Sequence, residues 1–293
     1  MIESRPVGRY RVSAKPLSQL SIPVFGGSMI RGVIGHALRR RYCRCGEEPS
    51  QHQVDCLYKS LFEAETGQAF VITPPPEGEL LADRPFEFFV TLLKDDVPRR
   101  EALLHSLILG FRRGFGPKNV PCEVITIEPV VPEISPLEQR VRLELLTPWF
   151  IKYRGKALHA HELTTHSFLI AVAQRQRMLV KSGLLDAAIP DNRALLALAD
   201  TLEGQFQVYD VRGARRSNRQ NSKHPLNGIA GSVELQSSRV AGLRGLTAML
   251  YRGQWLHGGG KASFGLGALR VLPIPELQSQ LREIERMTTG EAV

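Results

Sequence analysis

Leu256-His257-Gly258-Gly259-Gly260-Lys261-Ala262-Ser263-Phe264-Gly265-Leu266-Gly267-Ala268-Leu269-Arg270-Val271 sets five glycines and a lysine directly before an apolar strand. A glycine loop leaves room for backbone N–H groups to reach an anion. Phosphate loops usually open a helix, whose positive end adds to the attraction. This loop runs into a strand, so the P-loop and dinucleotide readings fail. The Walker pattern also fails on residues, because Trp255 stands where its first glycine belongs and Ala262 where Ser or Thr belongs. A basic glycine loop packed against a sheet remains. Upstream, Ala241 to Gly253 has helical spacing, so the unit reads helix, glycine loop, strand. The same order occurs earlier in the chain: a helix over Arg99 to Phe111, then Gly110-Phe111-Arg112-Arg113-Gly114-Phe115-Gly116, then a strand over Pro121 to Val131.

Working outward from this pair, each half lays out strand, helix, two strands, helix, strand. In the first half the strands are Arg5 to Ser18, Ala69 to Ile72, Phe86 to Leu93 and Pro121 to Val131, with a first helix over Gly27 to Arg44. In the second half they are Val141 to Leu146, Phe206 to Val211, Ile229 to Leu235 and Ala268 to Leu272, with a long helix over His161 to Ser182. The repeat predicts an α+β protein of two tandem ferredoxin-like βαββαβ domains. The expected boundaries are 1–135 for the first domain, 136–275 for the second with its glycine-rich loop, and 276–293 for a C-terminal helix or tail. The Pro-bearing stretch Val131 to Pro136 marks the first boundary.

Composition narrows the partners. The 293 residues carry 38 basic and 29 acidic side chains, a formal charge of +9, which favours nucleic acid. The basic residues do not follow one long amphipathic helix, so a membrane surface is not expected. No apolar run approaches the roughly 20 residues of a membrane helix, and Met1 to Tyr10 lacks the apolar core of a signal peptide. The expected location is the cytoplasm.

The helix from Gly27 buries Ile30, Val33, Ile34, Ala37 and Leu38 at i, i+3, i+4, i+7, i+8 spacing. At about 100° per residue, His36 falls opposite that stripe, among Gly32, Arg39 and Arg40. Gly32 and Gly35 are expected to clear this face for another backbone, and Arg40, one turn on, to hold a phosphate beside the imidazole. Histidine is suited to proton transfer near neutrality. His36 and Arg40 are therefore the catalytic candidates, with Arg31 and Arg39 as RNA contacts. Tyr42 faces away from His36. A second basic stretch, Val211 to His224, holds Arg212, Arg215, Arg216, Arg219 and Lys223 with no acid; with Gln220 these arginines suit phosphate and base-edge contacts together. The loop residues Gly258, Gly259, Gly260, Lys261, Gly265 and Gly267 complete the expected RNA interface, and His257 is a reserve acid or base.

Cys43, Cys45, His52 and Cys56 follow C-x-C-x6-H-x3-C, which is not a standard finger spacing and leaves a structural zinc open. No HExxH or clustered carboxylate set occurs, so neither a catalytic metal nor a cofactor is expected. His105 sits among leucines and reads as semi-buried; His159, His161 and His166 read as an exposed helix entrance.

Four stretches together resemble the CRISPR-associated endoribonucleases of the RAMP superfamily, which cut precursor CRISPR RNA within its repeats. They are Met29 to Arg40, Cys56 to Glu63, Arg215 to Gln220 with Leu226 to Gly231, and the loop from Trp255 to Gly267. The resemblance implies tandem ferredoxin-like domains and metal-independent cleavage. The RNA 2′-hydroxyl attacks the adjacent phosphate, leaving 2′,3′-cyclic phosphate and 5′-hydroxyl ends. It implies that His36 matches the histidine many relatives carry near the first helix, and that mature guide RNA is produced and retained. The implied partners are repeat and guide RNA, with other effector-complex subunits. The same resemblance admits a non-catalytic RAMP subunit that only holds guide RNA. A general RNA-binding module fits less well, since aromatic residues make up only 7% where sequence-tolerant single-strand binders use many.

Overall fold

The computed structural model describes residues 7–45, 52–53, 55–63, 69–131, 133–217, 222–239 and 242–274; in 214–217 and 222–225 it describes the backbone alone. Arg219, Gln220 and the expected C-terminal helix or tail 276–293 lie outside the described residues.

The first half contains β1 (Gly8–Pro16), β2 (Leu20–Ile22), α1 (Gly26–Tyr42), α2 (Leu57–Phe62), β3 (Phe70–Thr73), β4 (Gly78–Leu80), β5 (Phe86–Leu92), α3 (Val97–Arg113) and β6 (Cys122–Pro129). Its antiparallel sheet has the order β3-β5-β1-β6. The second half contains β7 (Arg140–Trp149), β8 (Lys152–Tyr153), β9 (Lys156–Ala157), α4 (Thr165–Lys181), α5 (Asn192–Ala199), β10 (Leu202–Ser217), β11 (Ser222–Ser237), α6 (Thr247–Leu256) and β12 (Leu269–Ile274). Its main sheet has the order β10-β11-β7-β12. In both sheets the first and third strands of the unit lie in the middle, which is the ferredoxin-like arrangement. The tandem α+β architecture is the one the sequence repeat predicts.

Local chemistry accounts for the elements. β1 alternates, burying Tyr10, Val12 and Ala14. α1 turns Ile30, Ile34 and Leu38 into a core shared with Phe88 of β5 and Leu107 and Phe111 of α3. The Asp96 carboxylate accepts from the Arg99 amide and Pro98 opens the first turn, which starts α3. The second core gathers Val141 and Leu143 of β7, Phe168 and Val172 of α4, Val233 of β11 and Leu250 of α6 around Trp149, whose ring stacks on Phe168.

β10 and β11 depart from the sequence reading. The expected strands 206–211 and 229–235 are the inner part of 16-residue strands, paired from Leu202↔Ser237 to Ser217↔Ser222. The basic stretch between the two expected strands is thus the outer half of a long hairpin. Apart from Val211 and Leu226 its sequence is polar or small, so it shows no period-two alternation, and backbone pairing extends the ladder. α5 was likewise unforeseen; Asp191 starts it by accepting from the Ala194 amide at 2.7 Å.

Two small clusters join the halves. Val71 and Leu93 pack with Leu179, Leu185 and Leu256. Phe25, just before α1, packs with Leu226 of the hairpin and Leu266 of the glycine loop. A Cβ on Gly213 would lie 2.4 Å from the Phe25 ring, so the hairpin passes closely over the start of α1.

Candidate nucleic-acid interface

α1 presents its solvent face as the 3.6-residue period requires. His36 and Arg40 are exposed, Arg39 is half-buried, and Ile34, Gly35, Ala37 and Leu38 point inward. A Cβ built on Gly32 meets nothing within 4 Å, so this position is open to an approaching backbone. Gly35 is different. A Cβ there would lie 2.2 Å from the Phe62 ring, so this glycine makes room for α2 and not for a ligand. Among the described residues no hydrogen bond or ion pair holds His36 or Arg40.

Arg31 is drawn into the protein. Its guanidinium lies 3.8 Å from the centre of the Phe62 ring and 5.3 Å from that of Phe264, and Nη2 donates to the Phe62 carbonyl at 3.2 Å. The expectation that Arg31 is primarily an RNA contact gives way to a packing role that joins α1, α2 and the glycine loop. Tyr42 Oη and His105 Nδ1 share a 2.8 Å hydrogen bond, and His105 is exposed, not semi-buried as its leucine neighbours suggested.

The glycine loop also serves the protein's own backbone. The Gly258 amide donates to Gly267 O, Gly259 to Ala171 O, Gly260 to Phe150 O, Gly265 to Ala262 O and Gly267 to Pro148 O. None of these five amides is left for a phosphate, which corrects the expected backbone cradle. A Cβ on Gly258 would stand 2.1 Å from the Trp149 ring, and one on Gly265 would stand 2.8 Å from Gly27 Cα. The glycines let the loop seat on Trp149 and on the N-terminus of α1.

What the loop offers an anion is side-chain charge. A cleft of about 240 Å³ is lined by Phe150, Lys152, Gln174, Arg175, Gly259, Gly260 and Lys261 among others. Lys261 Nζ stands 4.3 Å from the centre of the Phe150 ring, and burial followed by the Lys152 charge lowers its pKa. Arg175 is buried; burial brings its guanidinium down to about 10, its Nε donates to Leu256 O, and its Nη2 has no hydrogen-bond partner. Sequence reasoning missed Arg175, because a helical arginine among Gln174, Gln176 and Arg177 carries no sign that it turns inward.

His257 is fully buried. Nδ1 lies 2.8 Å from Leu266 O and Nε2 lies 2.9 Å from Thr73 Oγ1. A carbonyl only accepts, so Nδ1 carries the proton and Nε2 accepts from the threonine hydroxyl. Burial lowers its pKa to about 3, opposed by the Leu266 hydrogen bond and reinforced by Arg9 and Arg175. Its backbone, at φ 62° and ψ 170°, occupies a region favourable for glycine alone. His257 therefore pins β3 to the glycine loop, and its reserve role as an acid or base is withdrawn.

On the hairpin, Arg212 is exposed and pairs with Asn227 across the ladder, while Arg215 pairs with His224 and Arg216 with Lys223. Tyr209 is 62% exposed on the same strand, an aromatic platform the sequence reading did not single out. Arg212 also lines a second cleft of about 150 Å³ with His159, Asp210 and Asn227. There the Asp210 carboxylate lies 3.3 Å from His159 Nδ1 and accepts from the Ala160 amide. His161 stacks on His159, and both are exposed ahead of α4, while His166 in its first turn is half-buried and contacts Asp200 at 2.8 Å.

This arrangement of two ferredoxin-like units has relatives among solved structures. Thermus thermophilus Cas6 superposes with a TM-score of 0.57 at 13% identity, covering 93% of this chain and 100% of that one. The chain has a Cas6-like fold. A Cas6 product complex matches at 0.57 and 15% identity over 90% of this chain and 99% of that one. A RAMP protein described as binding different RNA substrates matches at 0.53 and 13% identity, with 90% and 99% coverage. In sequence, a family model described as an N-terminal domain, AF_1859_N, matches residues 5–144. No curated protein matches the chain in sequence. Among the described residues no helix is long and apolar enough to cross a membrane.

Proposed function

We propose that this protein binds CRISPR repeat RNA, cuts it once per repeat without a metal ion, and keeps the guide RNA product. The observation that carries the reading is the exposed face of α1, where His36 stands between the open Gly32 and Arg40. His36 takes the proton of the RNA 2′-hydroxyl. The freed oxygen attacks the adjacent phosphorus, the bond to O5′ breaks, and the leaving oxygen is protonated to a 5′-hydroxyl. Arg40 neutralises charge developing on the phosphate. Arg39, the cationic cleft at Lys152, Arg175 and Lys261, and the arginines of the hairpin hold the backbone on either side, with Tyr209 available for stacking. The Cas6 likeness supports the substrate class. Metal independence is proposed because His36 and Arg40 would between them supply a base and a cation at the scissile phosphate.

A second reading is a RAMP subunit that holds guide RNA without cutting it. It is favoured by the lack, among the described residues, of a partner orienting the His36 ring, since catalytic bases are usually positioned by a third group. Incubating the purified protein with end-labelled repeat RNA in EDTA separates the readings. Cleavage to a cyclic phosphate end is expected. Activity that disappears in EDTA and returns with magnesium overturns the mechanism, and tight binding without any cut establishes the scaffold.

A further inference from the structure

The spacing C-x-C-x6-H-x3-C matched no standard finger, yet the fold brings its four side chains to one point. Cys43 caps the C-terminus of α1, Cys56 caps the N-terminus of α2, and Cys45 and His52 lie on the connection between them. One donor atom from each lies within 4.8 Å of all the others. Cys43 Sγ is 3.4 Å and Cys56 Sγ 3.7 Å from the same nitrogen, His52 Nδ1. A tetrahedral zinc with Zn–S near 2.3 Å and Zn–N near 2.05 Å has S···N edges of about 3.5 Å and S···S edges of about 3.8 Å. The two S···N separations match the S···N edge, and the 4.8 Å bound on the whole set admits the S···S edges.

The surroundings match as well. His52 and Cys56 are buried. His52 Nε2 lies 3.5 Å from Glu63 Oε2, and Tyr58 Oη donates to Glu63 Oε1 at 3.1 Å. A carboxylate on Nε2 fixes the tautomer that leaves the Nδ1 lone pair toward the cysteines, the usual outer partner of a metal-bound histidine. The Gln53 amide points at Cys45 Sγ at 3.4 Å, a donor that favours thiolate.

We infer that Cys43, Cys45, His52 and Cys56 bind one structural zinc ion. With four protein ligands the site is closed, so it stabilises the fold and does not activate water. Binding displaces the cysteine protons to solvent and leaves a neutral imidazole on the metal. The ion ties α2 to the end of α1. Phe62 of α2 fills the space over Gly35 and carries the Arg31 guanidinium, so the tie holds the helix whose outer face bears His36 and Arg40.

The test is metal analysis of the full chain, purified under reducing conditions without a metal-affinity tag. About one zinc per chain is expected, and cobalt exchanged into the protein should show thiolate-to-cobalt charge-transfer absorption with the strong visible bands of a tetrahedral site. Cys56→Ser and His52→Ala should lose the metal, while Cys122→Ala, in the core of the first half, should keep it. Where the ligand variants do not fold, the wild-type zinc content and cobalt spectrum decide. Folded, reduced wild-type protein that holds no zinc and gives no thiolate–cobalt band overturns the site, as does iron with acid-labile sulfide. RNA cleavage does not enter either readout.

Discussion

The outer face of α1 and the loop from Gly258 to Gly267 carry the same residue types, glycines beside cations, and the protein uses them in opposite ways. On α1, Gly32 is open and His36 and Arg40 face solvent. In the loop, all five glycine amides donate to carbonyls of the protein, and Gly258, Gly265 and Gly267 are buried. A glycine marks a place where something comes close. The close neighbour is another part of the chain at Gly35, Gly258 and Gly265, and open space at Gly32.

Substitutions sharpen that contrast, and the loop should give the largest effect. Gly267 sits at φ +80° with a built Cβ only 2.0 Å from Gly258 O. Gly267→Ala should cost about 3 kcal/mol or more in denaturant unfolding, because backbone strain and overpacking combine. A fully stable variant would return the loop to ligand binding. On α1, His36→Ala should leave the fold intact and lower single-turnover cleavage by about 10²–10⁴-fold, with RNA affinity nearly unchanged. Cleavage at the wild-type rate would move the base elsewhere, and His159 beside Asp210 is then the residue to test.

His257 gives a signature in pH. Its folded pKa, about 3, lies below the ordinary value of 6.5. Between those values the unfolded chain binds a proton that the folded chain does not. The stability from neutral His257 is therefore complete above 6.5 and lost as pH falls toward 3, at up to about 1.4 kcal/mol per pH unit. His257→Asn, which keeps a side-chain hydrogen-bonding group but does not titrate in this range, should show a shallower fall in melting temperature between pH 7 and pH 5. Parallel profiles for the two proteins would remove His257 as the source. The smallest effect belongs to Gly32→Ala, which should raise stability by about 0.5–1 kcal/mol in a helix interior while weakening RNA binding. A gain in stability with unchanged affinity would show that no RNA backbone approaches this turn.

The elements were legible wherever burial imposes a period. β1 and α1 show it because one face of each enters the core while the other stays wet, and the reading of His36 as solvent-facing follows from the same geometry. The outer hairpin was not legible, since only single apolar residues such as Val211 and Leu226 interrupt its polar and small ones, too few to write an alternation. The turn of Arg31 onto Phe62 and Phe264, and of Arg175 into the interior, left no trace either. An arginine has the same letter whether its guanidinium meets water, a phosphate or an aromatic ring. His105 was misread for a related reason: its leucine neighbours in sequence point to other sides of α3.

By itself the sequence determined the repeated βαββαβ order, the solvent side of α1 and the excess positive charge, because these depend on local spacing and composition. The tertiary structure alone decided which glycines meet open space and which meet backbone. It also decided that His257 is a buried pin between the halves, and that three cysteines and a histidine in an irregular spacing converge on one point. Each of these depends on distances between segments far apart along the chain or joined by irregular backbone, and neither composition nor periodicity encodes such distances.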